Sequence, residues 1–217
     1  MVSLMNVRYA YPSDSAFSLE VTDLSFSAGE CAAICGDNGS GKTTLGKLVA
    51  GLLRPSRGCV LLGNEDIAGW PLGKIGGRVG YLFQEPSRQI FAPTVLDEIT
   101  FPLVLKGMDE GEAVELARSM LARFEMGPLE NAVTFTLSRG EKQRLAIVAM
   151  LVTNPGFLVL DEPTTGLDAR RKGILGAMLR QLLEQNVGIL LISHDEKFVK
   201  EYAARVHRMA EGRMIAP

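Results

Sequence analysis

Net charge is what this chain has least of: 23 basic side chains against 25 acidic ones leave −2 over 217 residues. A balance so near neutral carries no electrostatic footprint for a nucleic acid, which is therefore not expected as a direct partner. Cysteine is scarce. Cys31, Cys35 and Cys59 lie around the first strands, lack zinc-type spacing and leave an odd number for disulfides. They read as small buried hydrophobes of a reducing compartment. Long apolar runs are missing too, since Phe157–Leu160 and Val187–Ile192 fall far short of the roughly 18 residues that cross a bilayer. The opening Met1–Arg8 has no signal-peptide core. No repeat or low-complexity tract interrupts the chain. The expectation is a cytoplasmic chain that sits on a membrane through a partner.

What is present begins with core-forming material, 47% apolar residues over a length of one or two domains. Near the start, Gly36, Asp37, Asn38, Gly39, Ser40, Gly41, Lys42, Thr43 and Thr44 fit G-x-x-x-x-G-K-[ST]. The apolar Cys31–Cys35 before them reads as a buried strand. Glycines there let successive backbone N–H groups turn inward onto phosphate oxygens, and a helix starting near Lys42 adds its positive end. Lys42 would reach the β- and γ-phosphates and Thr43 would ligate magnesium.

The remaining pattern alternates strand and helix, as in a parallel sheet covered by helices. Strands are expected at Leu4–Tyr9, Phe17–Phe26, Glu30–Cys35, Gly58–Leu62, Val79–Phe83, Phe157–Leu160 and Gly188–Ile192. Helices are expected from about Lys42 to Leu52, at Glu110–Glu125 and Arg139–Leu151, and from about Arg170 to Gln185. From Glu85 to about Asn154 the pattern turns helical, which reads as a helical subdomain inserted in the sheet.

Two further motifs carry chemistry. The run Phe157–Leu160 stops at Asp161 and Glu162, which places two carboxylates at the carboxyl edge of the sheet, where open α/β folds hold ligands. Asp161 suits magnesium; Glu162 suits a general base, or a group holding water in line with the γ-phosphate. Upstream, Leu137, Ser138, Arg139, Gly140 and Glu141 include a capping box, S-x-x-E. Capping explains the helix start but not Gly140 in its first turn, which weakens a helix relative to alanine. A helix start bearing a serine and a small residue is a second phosphate-binding surface.

The order of P-loop, Gln84, Leu-Ser-x-Gly-Glu, Leu-Asp-Glu-Pro, Leu167-Asp168 and His194 resembles an ATP-binding cassette (ABC) nucleotide-binding domain along nearly the whole chain. The resemblance implies an α/β P-loop NTPase of the ABC ATPase fold. It would have a RecA-like, mostly parallel core, N-terminal antiparallel strands and the helical insertion. Residues 1–217 would form one such domain, with about 1–84 and 155–217 as core and about 85–154 as helical subdomain. It further implies ATP and Mg2+ as cofactors. A second cassette, identical or related, would pack head to tail, so that Ser138, Arg139, Gly140 and Glu141 of one protomer meet the ATP of the other.

Other positions carry over from the resemblance singly. Tyr11 matches the aromatic that stacks on adenine, with Tyr9 as competitor. Gln84 matches the glutamine that senses magnesium and the attacking water. His194 matches the histidine that contacts the γ-phosphate, while His207 reads as structural. Asp168 matches a dimer-interface aspartate and equally reads as a helix cap. Arg139 departs from a usual glycine and Glu141 from a usual glutamine.

The stretch from Gln84 through Gln89 to Phe101 is similar to that of energy-coupling factor ATPases, the importers of vitamins and metal ions. That similarity implies a transmembrane transporter subunit as partner and a place on the cytoplasmic face of the membrane. The apolar Ile90, Phe91, Val95, Ile99 and Phe101 would form its docking groove or simply pack inside. A soluble cassette ATPase of macromolecular remodelling is the alternative. Such proteins often carry a coiled-coil insertion, a second cassette or basic tracts, none of which is visible here. A P-loop small-molecule kinase is disfavoured, because a signature helix stands where an acceptor lid would be.

Overall fold

The computed structural model describes residues 1–12 and 14–215. Its chain divides into two compact units, residues 1–81, 155–162 and 175–217 in one and residues 82–154 and 163–174 in the other. The second unit takes up 163–174, which the expected division places in the core.

The first unit is organised by a ten-stranded sheet. Its antiparallel part comprises β1 (Val2–Tyr11), β2 (Asp14–Phe26), β4 (Arg57–Leu62) and β5 (Glu65–Asp66), in the order β5-β4-β1-β2. Here one face is wet, so burial alternates, as at Val2 and Leu4 on β1 and Leu19 and Val21 on β2, with Val7 returning to the buried face after a bulge. The parallel part sets β9 (Arg205–Ala210), β3 (Cys31–Cys35), β8 (Gly188–Ile192) and β7 (Phe157–Asp161) side by side, with β6 (Val79–Leu82) next to β7. Strands β7 and β8 are buried at every residue, as expected of a parallel sheet covered on both faces. Cys31 is buried within β3, which pushes its thiol up to about 12 and leaves it chemically inert.

Helix α1 (Lys42–Val49) is shorter than its sequence pattern. Gly51 turns left-handed (φ 66°) and Leu52 N–H donates to the Lys47 carbonyl at 2.9 Å, a glycine stop before the apolar run is spent. Besides α1, the unit has a short α2 (Leu72–Gly76) and most of α6 (Ala169–Glu184). The unit ends in α7 (Glu196–Tyr202), β9 and β10 (Arg213–Ile215), elements beyond those expected from the sequence pattern. Strands β9 and β10 are joined by Glu211 and Gly212, both at positive φ, a two-residue hairpin turn of type I′ geometry.

The second unit contains three longer helices, α3 (Val95–Leu105), α4 (Glu110–Arg123) and α5 (Arg139–Leu151). Each starts on a side-chain cap, from Thr94, Asp109 and Ser138 respectively. Ala113, Ala117 and Leu121 repeat at four-residue spacing and are fully buried, the stripe that periodicity predicts for α4. Helix α3 lies outside the expected helices, since Pro102 sits inside it and its apolar residues point two ways. Val95 and Ile99 are buried, whereas Phe91 and Phe101 are exposed and meet edge to face at 5.3 Å.

Candidate functional site

Strand β3 delivers the chain to Gly36, and residues 36–41 turn it into α1. Gly36, Gly39 and Gly41 take φ values of 154°, 80° and 104°. At Gly36 the requirement is steric as well, since a Cβ there would stand 2.1 Å from the Met209 carbonyl oxygen. Helix α1 has no side-chain cap and no acid in its first turn, so its first amides and its positive end face the loop. Lys42 is buried, and its Nζ donates to the carbonyls of Gly36 (2.8 Å) and Asp37 (2.7 Å) and lies 3.4 Å from Ser40 Oγ. Asp37, Asn38 and Gly39 form the exposed rim. Backbone amides, a helix start and an inward ammonium make a cradle for a polyphosphate.

Asp161 closes β7 at 1% exposure and accepts a hydrogen bond from the Tyr81 hydroxyl at 3.1 Å. Burial raises its pKa; a hydrogen bond from Thr43, that of Tyr81, and Lys47 and Lys42 pull the other way. A buried carboxylate beside a threonine hydroxyl supplies the oxygen ligands a small divalent cation takes, and the cation would relieve the desolvated charge. These residues fit magnesium.

Glu162 follows with φ at 53°, a left-handed conformation that a side chain adopts at a cost of about 1–3 kcal/mol. Its N–H donates to the Ile192 carbonyl at 2.8 Å, tying the end of β7 to β8. The carboxylate is buried, and Oε2 accepts the His194 backbone N–H at 3.4 Å. His194 Nε2 stands 3.3 Å from Oε1, an atom otherwise without a hydrogen bond among the described residues. Burial raises the Glu162 pKa, and the His194 backbone and ring only partly oppose it. Raised basicity and an uncommitted oxygen are what a general base for water needs.

Tyr11 ends β1 beside this loop, its hydroxyl 3.1 Å from Thr44 Oγ1. Tyr9 packs edge to face against it at 5.0 Å and Phe17 lies at 6.1 Å. The first unit therefore brings together Tyr11, the P-loop, Asp161, Glu162 and His194.

The second unit holds the other expected positions. Gln84 is exposed after β6. Ser138 caps α5 in both directions of a capping box: its Oγ accepts Glu141 N–H at 3.4 Å, and Glu141 Oε2 accepts the Ser138 N–H at 2.8 Å. The serine hydroxyl also donates to that carboxylate at 2.7 Å, and these bonds hold Glu141 below the usual carboxylate range. Gly140 approaches closely, a Cβ there lying 3.0 Å from the Gly166 carbonyl. Arg139 is exposed and its stem lies over Gly166. Asp168 caps α6, accepting the Arg171 N–H at 2.9 Å, and pairs with the Arg171 guanidinium at 3.0 Å.

Residues 19–165 match the family model for ABC transporters. The chain belongs to the ABC transporter family. Its length is covered entirely by the energy-coupling factor transporter ATP-binding protein EcfA of Methanothermobacter thermautotrophicus, 35% identical over 218 residues, of which it spans 70%. Among solved structures it is similar to cbiO1 of Clostridium perfringens, part of the ABC transporter complex cbiONQ (TM-score 0.84, 32% identity, 99% of this chain and 86% of that one). It also matches the ATP-binding cassette MJ0796 in a dimeric post-hydrolysis state with ADP and Pi (TM-score 0.91, 26% identity, 100% and 97% covered). The chain spans about a third of the first curated relatives it matches, 37% and 33% of their lengths.

Several residues of this ABC cassette were not singled out from sequence. Tyr81 positions Asp161, and a tyrosine in an otherwise apolar buried strand was the available signal. The β9–β10 hairpin buttresses the P-loop, Gly212 N–H donating to the Ser40 carbonyl at 2.9 Å. No local pattern foretells that contact. Glu98, at 3% exposure, accepts the N–H groups of Phe91 (3.0 Å) and Ala92 (2.7 Å). Gln89, noted only for its resemblance, accepts the Phe83 N–H at 2.9 Å and donates to the Ala146 carbonyl at 3.5 Å, bracing the second unit from within.

Proposed function

We propose that this chain works as a single nucleotide-binding domain, the ATP-hydrolysing subunit of an energy-coupling factor importer. The observation that carries the catalytic part is Glu162: buried, held left-handed at the end of β7, with one oxygen beside His194 and the P-loop lysine among its charged neighbours. In this reading the P-loop amides and Lys42 bind the triphosphate, and Tyr11 stacks on adenine. Thr43 and Asp161 would hold magnesium, with Gln84 the further ligand that the resemblance implies, and the ion would supply charge neutralisation during phosphoryl transfer. Glu162 takes the proton of the attacking water while His194 contacts the γ-phosphate. Ser138, Arg139, Gly140 and Glu141 meet the ATP of a second cassette, with Asp168 at that interface. ATP binding closes the head-to-tail pair and hydrolysis reopens it.

The importer assignment rests on the names of the relatives and on one surface. Phe91, Phe101, Val104 and Leu105 are exposed on and just before α3, a place for an apolar helix of a transmembrane partner at the cytoplasmic face. Gentle solubilisation of native membranes should recover a multi-spanning protein with the tagged cassette; soluble partners alone would favour macromolecular remodelling. For the chemistry, Glu162→Gln should bind ATP, lose turnover and accumulate as an ATP-bound dimer in size-exclusion chromatography. Rapid hydrolysis by that variant would remove Glu162 from the role of base.

A further inference from the structure

On the wet face of the antiparallel sheet, four charged side chains stand in one cross-strand row. Arg57 on β4 is opposite Arg8 on β1, Arg8 is opposite Glu20 on β2, and Glu20 is opposite Arg213 on β10. Glu20 serves two of the three arginines, with Arg8 Nε 3.3 Å from Oε1 and Arg213 Nη2 3.4 Å from Oε2. Arg57 has no carboxylate partner among the described residues. The row carries two uncompensated positive charges, and it sets two guanidinium groups directly across from each other, a pairing that destabilises a sheet.

The backbone is bent where these groups meet. Between the pairs Met5↔Cys59 and Arg8↔Arg57, Asn6 and Val7 stand against Gly58 alone, a β-bulge. Asn6 is left-handed at φ 49°, and Gly58, at φ 80°, comes so close that a Cβ would lie 2.3 Å from the Asn6 carbonyl oxygen. Bulges re-aim side chains, and strain of this kind gathers at ligand sites. Beside the row opens a polar cleft of about 200 Å³, lined by Asn6, Arg8, Glu20, Thr22 and Arg57 among others. It has room for roughly six or seven waters.

We propose that this cleft binds a small phosphate-bearing ligand, a phosphomonoester dianion held between the guanidinium groups of Arg8 and Arg57. The dianion meets the positive charges of Arg8 and Arg57 in the cleft, where Glu20 is shared with Arg213 just outside the lining, and two planar forks suit the oxygens of a phosphate. The Asn6 amide and Thr22 hydroxyl add neutral donors at the rim. The site uses none of the P-loop residues and stands whether or not the chain hydrolyses ATP. A soluble phosphomonoester and a phospholipid headgroup share this chemistry.

Inorganic phosphate titrated into Lys42→Ala protein, whose P-loop is weakened, should report one saturable site by calorimetry. Arg57→Gln added to it should weaken that site about tenfold or more. Arg57 is exposed and without a carboxylate partner among the described residues, so the change leaves the fold intact, and Arg8→Gln gives an independent second variant. In parallel, the protein is sedimented with phosphatidylcholine vesicles with and without phosphatidic acid. Saturation in solution that both variants lose assigns a soluble ligand. Binding to the acidic vesicles alone, again lost in both variants, assigns a headgroup. Binding in neither arm, or binding that both variants retain at full strength, overturns the site.

Discussion

Glu162 shows how burial of one residue sets both chemistry and stability. Its pKa is raised in the folded chain above the ordinary 4.5, chiefly by desolvation. As pH rises, the unfolded chain therefore loses this proton first and the folded chain retains it, so folding stability falls between 4.5 and the raised value. Above that window the folded state carries a disfavoured charge. Nucleotide-free Glu162→Gln should consequently melt at a higher temperature than the parent at neutral pH, and the gap should close as pH drops below about 4.5. A gap of constant size across pH would show that packing, not charge, separates the two proteins. Arg139, one of the two departures from the signature that the resemblance implies, is exposed at the start of α5 with its stem over Gly166. Arg139→Gly is expected to change the ATPase rate without abolishing it, and complete loss of turnover would refute that modulating role.

At the scale of elements, α5 is held at its start by reciprocal bonds between Ser138 and Glu141. Ser138→Ala removes the oxygen that accepts the Glu141 N–H and the hydroxyl that donates to its carboxylate. The expected loss is about 1 kcal/mol, read as a lower urea midpoint at unchanged slope. The same substitution should raise the Glu141 pKa, because the Ser138 hydroxyl is the first cause that holds it down. An unchanged carboxyl titration by NMR would contradict the capping geometry. Periodicity read this helix with its limits intact, whereas α3 went unnamed because Pro102 interrupts its pattern and its apolar residues divide between core and surface.

For the whole molecule, nucleotide binding is a stability term. A ligand at 100 times its Kd adds about 2.7 kcal/mol to a native state, which for a chain of this size raises Tm by about 5–10 °C. Magnesium-ATP added to the Glu162→Gln protein, where hydrolysis does not deplete it, should produce a shift of that order. In Glu162→Gln/Lys42→Ala protein the shift should largely vanish at the same concentration. An equal shift in both would mean that ATP binds elsewhere than the Gly36–Thr44 loop.

Local chemistry determined a good deal of this chain unaided. Gly36 to Thr44, the acids ending Phe157–Leu160 and the Ser138 capping box are contiguous motifs. Their glycines, carboxylates and caps act on neighbours a few residues away, so their order alone assigned the fold and family. Tertiary structure decided what contiguous residues cannot express. It set the Met209 carbonyl and Gly212 N–H against the P-loop, joined Tyr81 to Asp161 across 80 positions, and brought Arg57 beside Arg8 through a bulge. It also split the apolar residues around α3 into buried Val95 and Ile99 and exposed Phe91 and Phe101. Those outcomes depend on which backbone groups and side chains are left facing one another after the sheet and helices have packed, and no sequence period encodes that.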